Sequence, residues 1–258
     1  MKIHILNMEI IDEMNDTYII NISNKNNFTI VSFSSDTKEL YFFDENELSI
    51  FLKSNEYQFR KILHNKRKET YYKGFKLKFV LQDNKDVGAF NDKLKIAVID
   101  KIKDEYNYYT IEKGIEPTYK LFTDGSYNER TKTGGYAFII IDINNNTSLF
   151  AGKLKKKSSN LIELIAVIKG LQKLKKTEHI RIISDSQYVK KGITEWVINW
   201  KLNNWITANG EKVKYIRYWK RLDKLTEKKY IEFEWIKAHS FHFENMICDY
   251  HAKKSANF

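Results

Sequence analysis

Two short apolar runs of the same make, Tyr119-Lys120-Leu121-Phe122 and Ile180-Arg181-Ile182-Ile183, each lead into an aspartate, Asp124 in TDGS and Asp185 in SDSQ. The stretch between them changes its period. GGYAFIIIDI and TSLFAGKL read as two more strands joined by an Asn-rich hairpin turn, and then Leu161, Leu164, Ile165, Ile168, Leu171 and Leu174 recur at helical spacing. Ser159 or Asn160 can cap that helix. Two strands joined by a crossover can lie side by side, and α/β sheets place their chemistry at the strand ends, where both acids fall. Alone, Asp124-Gly125 is also an ordinary turn, so the rest of the chain has to decide.

Further along, SQYVKKG leads into helical material, IEFEWIKAH alternates as a fifth strand, and FENMICDYHAKK reads as a closing helix. The expected fold is α/β: a mixed five-stranded sheet flanked by helices, preceded by a small α+β domain. The only proline, Pro117, follows a polar stretch and marks the boundary, giving an accessory domain over 1–85, a linker or helix over 86–117 and a main domain over 118–258.

Two more acids invite the same reading. Glu163 lies one turn into the first helix of the main domain, off its main apolar stripe, and Asp249 lies in the closing helix. Each has a plain explanation, as a helix-dipole partner or a surface acid. Carboxylates crowded together repel unless a proton or cation neutralises them, and all-oxygen ligands select hard cations such as Mg²⁺ or Mn²⁺.

On FTDGS (122–126), GGYAFII (134–140), SSNLIELIAVIKGLQKL (158–174), SDSQYVKKGITEWVINWKLNNW (184–205), YWKRLD (218–223) and FEWIKAHSFHFENMICDYHAKKSA (233–256), the segment from about 118 to 258 resembles type 1 ribonuclease H. The resemblance implies a ribonuclease H-like fold and a nuclease that cuts the RNA strand of RNA/DNA hybrids, leaving 5′-phosphate and 3′-hydroxyl ends. It implies that Asp124, Glu163, Asp185 and Asp249 hold two Mg²⁺ ions, Mn²⁺ fitting as well, about 3.5 to 4 Å apart. His239 in WIKAHSFH matches the family's mobile-loop histidine, a residue suited to moving protons near neutrality. A zinc reading of His239, His242, Cys248 and His251 is poor, because Asp249 is needed elsewhere.

Between Trp196 and Arg221 six Lys or Arg stand against one acid, Glu211. This stretch resembles the family's basic protrusion, which implies hybrid contacts from Trp200, Lys201, Trp205, Lys212 and Lys214, although tryptophans so spaced also pack between helices. Asn160 and Asn199 match family asparagines placed in the minor groove, Gln187 a polar residue beside them, and Gly125 with Ser126 a surface facing the RNA strand. The chain departs from the pattern in YNERTKTGG after TDGS, in Ser159 where a second asparagine is common, and in Phe241 and Phe243 beside His242. These bear on His239 and the RNA groove and leave the four acids untouched.

The net charge of +11 suits a polyanionic partner, the hybrid first. One cysteine, Cys248, and no long apolar run indicate a cytoplasmic, reducing location without a membrane, and a monomer is expected. In the N-terminal domain YIINI, FTIVSF and KELYFF read as strands, two short helices follow, and a further strand spans 74–80. This weakly resembles helix-turn-helix segments attached to some mobile-element nucleases. Eight Lys or Arg against two acids over 54–78 add to an expectation of further nucleic-acid binding there, against a plain solvated face. Two competing readings of the whole remain: another nuclease of the same fold, such as a transposase or integrase, and a catalytically silent hybrid- or duplex-binding protein.

Overall fold

A computed structural model describes residues 4–64, 71–81, 96–102, 107–111, 116–155, 158–238 and 242–257. The chain divides into two compact units. One joins the N-terminal residues to 198–214; the other holds the remainder up to 197 and from 215 onward.

The first unit is built on an antiparallel sheet of order β4-β3-β2-β1-β5, from β1 (His4–Met14), β2 (Thr17–Ser23), β3 (Phe28–Ser34), β4 (Leu40–Phe42) and β5 (Lys76–Leu81). Alternation decides its faces. Leu6, Met8 and Ile10 of β1, Ile20 and Ile22 of β2, and Leu77, Phe79 and Leu81 of β5 are buried. They share one core with Leu48 and Leu52 of α1 (Glu47–Ser54) and Phe59 and Leu63 of α2 (Glu56–Leu63). Phe59 stacks on Phe79 with ring centroids 5.9 Å apart. Asn46 and Ser49 form a reciprocal capping box that starts α1. The three strands read in YIINI, FTIVSF and KELYFF, both helices and the final strand are all present; β1, whose acids hide its alternation, is additional.

Among the described residues strand β5 pairs with β1 alone, so its other edge needs partners. Side-chain amides of the 198–214 segment supply them. Asn203 Oδ1 accepts from the Lys78 N–H at 2.9 Å while its Nδ2 donates to the Lys78 carbonyl at 2.6 Å, and Asn199 Oδ1 accepts from the Val80 N–H at 3.1 Å. Two asparagines four residues apart thus act as a surrogate strand. This segment, counted with the main domain from sequence, packs with the N-terminal sheet.

The second unit carries a mixed sheet of order β10-β9-β8-β11-β12-β6-β7. Its strands are β6 (Ile96–Asp100), β7 (Asn107–Ile111), β8 (Tyr119–Asn128), β9 (Thr133–Ile141), β10 (Thr147–Leu154), β11 (His179–Ser184) and β12 (Tyr230–Trp235). The five expected strands are there, with β8, β11 and β12 mutually parallel and β9 and β10 antiparallel. Among the described residues the sheet has seven strands rather than five. Two five-residue pieces of the segment read as linker or helix form β6 and β7, because the buried run Ile96-Ala97-Val98-Ile99 covers the otherwise open edge of β12. Lys101, just past β6, donates to Asp223 at 2.8 Å and Thr226 at 2.7 Å, a buried pair on α6 (Ile216–Leu225) and its C-cap.

Helices α3 (Ser159–Lys173) and α7 (Phe243–Asn257) take opposite faces of β8 and β9. Adjacent glycines of β9 show it: a side chain on Gly134 would strike Ile162 of α3, and one on Gly135 would strike the backbone of α7 at Ala252. After β11, α4 (Gln187–Lys191) runs into a π-turn, Gly192–Trp196, and then α5 (Val197–Leu202). Gly192 is required there, since a Cβ would lie 1.9 Å from the fully buried ring of Trp219. That ring donates its Nε1 hydrogen to the Tyr188 hydroxyl at 3.2 Å.

Candidate active site

Strand register brings the first two acids together. Ile183 of β11 sits opposite Phe122 of β8, and two residues farther on each strand stand Asp185 and Asp124. The Asp124 side chain projects from the face that carries Phe122 and Ala137, the face α7 covers. Glu163 arrives from the first turns of α3. It can come this close because Gly125 has no side chain: a Cβ there would lie 2.8 Å from the Glu163 backbone nitrogen. Oxygens of Asp124, Glu163 and Asp185 all fall within 4.8 Å of one another.

The three acids line a cleft of about 320 Å³ with Gly125, Ser126, His242, Asn245 and, from α7, Asp249. Asp249 Oδ2 is held by Lys253 one turn on, at 2.6 Å. Asp124, only 6 % exposed, accepts the Gly125 N–H at 2.7 Å. Burial, and then the charges of Asp185 and Asp249, push its carboxyl up to about 7. Glu163 is raised well above the ordinary carboxylate range by burial and by the charges of Asp124 and Asp185. Its Oε2 is buried and lacks any hydrogen-bond partner. An orphaned carboxylate oxygen among mutually repelling acids, with an all-oxygen donor set, fits a hard divalent cation.

The remaining expected residues lie on both units. Asn160 and Gln187 are exposed, as are Lys212 and Lys214, while Lys201 is half-buried. Asn199, expected in a minor groove, spends its carbonyl oxygen on the Val80 N–H. Trp200 and Trp205 are half-buried and tilted against each other at 6.5 Å. His239 lies outside the described residues. Cys248 faces the core, its thiol raised by burial and directed at the Phe122 carbonyl, so it is no zinc ligand.

Three groups at the cleft escaped sequence reading as site residues. His242 is exposed there, Asn245 has a buried Oδ1 without a partner, and Lys253 neutralises Asp249. The signal for the last two was positional: both lie four residues from Asp249, the turn spacing of a helix.

Residues 116–257 match the RNase H family. Ribonuclease HI of Haemophilus ducreyi is 42% identical over 137 residues, covering 53% of this chain and 89% of that protein. Ribonuclease H of Actinobacillus pleuropneumoniae is 42% identical over 138 residues, 54% of this chain and 90% of its own. The match begins after β7, so the first two strands of the large sheet and the N-terminal sheet precede it. With its acids gathered at one end of a mixed sheet, and a family match over more than half its length, the chain belongs to the RNase H family.

Proposed function

We propose that this protein is a divalent-cation-dependent endoribonuclease that hydrolyses the RNA strand of RNA/DNA hybrids, leaving 5′-phosphate and 3′-hydroxyl ends. The observation that carries the reading is the convergence of Asp124, Glu163 and Asp185 within 4.8 Å, in a chain of the RNase H family. Those three, with Asp249 across the cleft, would hold two Mg²⁺ ions, which when bound supply charge neutralisation at the scissile phosphate and an activated water.

The chain's own groups have distinct tasks. Asp124 is buried and Glu163 and Asp185 are half-buried, so water screens their charge from a cation only in part. Asp124 and Glu163 both hold a proton more tightly than an ordinary carboxylate does, and a cation arriving between them would displace it. Lys253 pairs with Asp249 beside the cleft and holds its side chain in place. Ser126 at the cleft, and Asn160 and Gln187 with exposed side chains, suit polar contact with a ribose-bearing strand. Exposed Lys212 and Lys214 suit salt-sensitive phosphate contact. His239 remains the proposed proton carrier.

One panel tests this: labelled RNA/DNA hybrid, duplex RNA and duplex DNA, each with Mg²⁺, using Asp185→Asn as the control. The proposal expects cleavage of the RNA in the hybrid alone, abolished in the variant. Tight hybrid binding without cleavage would favour the silent binder, and cutting of duplex DNA would favour a transposase-like nuclease.

A further inference from the structure

The first unit contains a second, separate cleft. The face of its sheet turned away from the core carries Asn7 on β1, Asn21 on β2 and Lys78 on β5, and the 198–214 segment lies across it, clasped to β5 through Asn199 and Asn203. Between segment and sheet is a groove of about 560 Å³, lined by these residues together with Tyr72 and Asn204.

Its chemistry is amide-rich. Asn203 is fully engaged with the Lys78 peptide and the Asn199 carbonyl, so it builds the wall. Asn21 differs: its Oδ1 is buried and has no hydrogen-bond partner. Such an acceptor costs stability unless something donates to it. Tyr72 presents a ring that is 59% exposed and propped edge-on by Phe75 at 5.8 Å. Lys78 is exposed, whereas Lys76 is neutralised by Glu9 at 3.1 Å.

We propose that this groove binds an unpaired nucleic-acid strand, with Tyr72 stacking a base, Asn21 accepting from a base edge and Lys78 meeting a phosphate. Amide walls match base edges, and those edges are exposed only when the strand is single, since pairing consumes them in a duplex. An apolar ligand would strand the amides, and a bare anion would use neither the ring nor the orphaned acceptor. The inference does not rest on hybrid cleavage at the other cleft.

The test is fluorescence anisotropy of labelled single-stranded DNA and RNA oligonucleotides on the full chain carrying Asp185→Asn, without divalent cation. Tyr72→Ala/Lys78→Ala should weaken binding about tenfold, the size of one lost base stack. The slope of log affinity against log salt should fall by about 0.7, one single-strand phosphate. Asn21→Leu separates ligand binding from a structural role: it should weaken binding while leaving the melting temperature unchanged or higher. Loss on both DNA and RNA assigns recognition to base and phosphate, and loss on one alone adds the sugar. Unchanged oligonucleotide affinity in both variants overturns the proposal. Failure of the parent chain to cleave hybrids, with these losses intact, would count against the nuclease reading only.

Discussion

Gly125 and Glu163 meet so closely that a single methyl group between strand and helix would collide with the Glu163 backbone nitrogen at 2.8 Å. The nearest atoms on both sides are backbone or the packed Ile162, so nothing can swing aside cheaply. Gly125→Ala should therefore displace the start of α3 and carry Glu163 away from Asp124. The expected cost is about 1 to 3 kcal/mol of stability and a fall in kcat on hybrid of about 10². Urea denaturation and steady-state kinetics measure the two separately.

The raised carboxyl of Asp124 makes stability depend on pH in a definite direction. Its proton is held more tightly in the folded chain than in the unfolded one, where the ordinary value is 3.8. The favourable contribution is complete below that value and is lost as pH rises towards about 7. Without divalent cation, Asp124→Asn should be more thermostable than the parent at pH 8. That advantage should shrink as pH falls and be absent near pH 4, as differential scanning calorimetry would show.

Lys101 lies upstream of the family match yet supplies the buried partner of Asp223 within it. Lys101→Ala would remove the buried cation that Asp223 and Thr226 face, costing about 3 to 5 kcal/mol. Lys101→Met/Asp223→Leu should regain much of that, because both charges are gone. A chain starting at residue 116 loses the same ion pair and exposes the edge of β12, so it should aggregate where the full chain does not. Chemical denaturation and light scattering check these outcomes.

The clasp predicts a separate effect. Asn203→Ala removes the bonds to both sides of the Lys78 peptide, and should raise protection-limited hydrogen exchange at Lys78 and Val80 without altering kcat at the acid cluster. Asn203→Gln, with a longer reach, should restore little, since the geometry fits a short amide.

The sheet that carries the acids was legible because period 2 and period 3.6 alternate cleanly after Tyr119, and a crossover fixes which strand ends are neighbours. Asp124 and Asp185 can be singled out for that reason, while Glu163 and Asp249 rest on the family resemblance. Strands β6 and β7 are hidden by their polar surroundings: Ile96–Asp100 pairs locally with β7, but its place on β12 is a long-range fact. The docking of 198–214 was illegible for a different reason. Asparagine amides that pair with a strand edge leave no periodic trace and look like ordinary surface polarity, whereas the minor-groove expectation for Asn199 rests on the family resemblance. The tight packing of Gly125 against α3 cannot be inferred from a glycine alone, and its expected place facing the RNA strand rests on the resemblance.

The central claim, that Asp124, Glu163 and Asp185 gather to hold a divalent cation, is tested most directly by calorimetric titration of Mg²⁺ at pH 7 in two buffers of different ionisation enthalpy. The account predicts saturable binding accompanied by release of about half a proton or more, both lost in Asp185→Asn. Identical binding by parent and variant, or no binding by the parent, would contradict it.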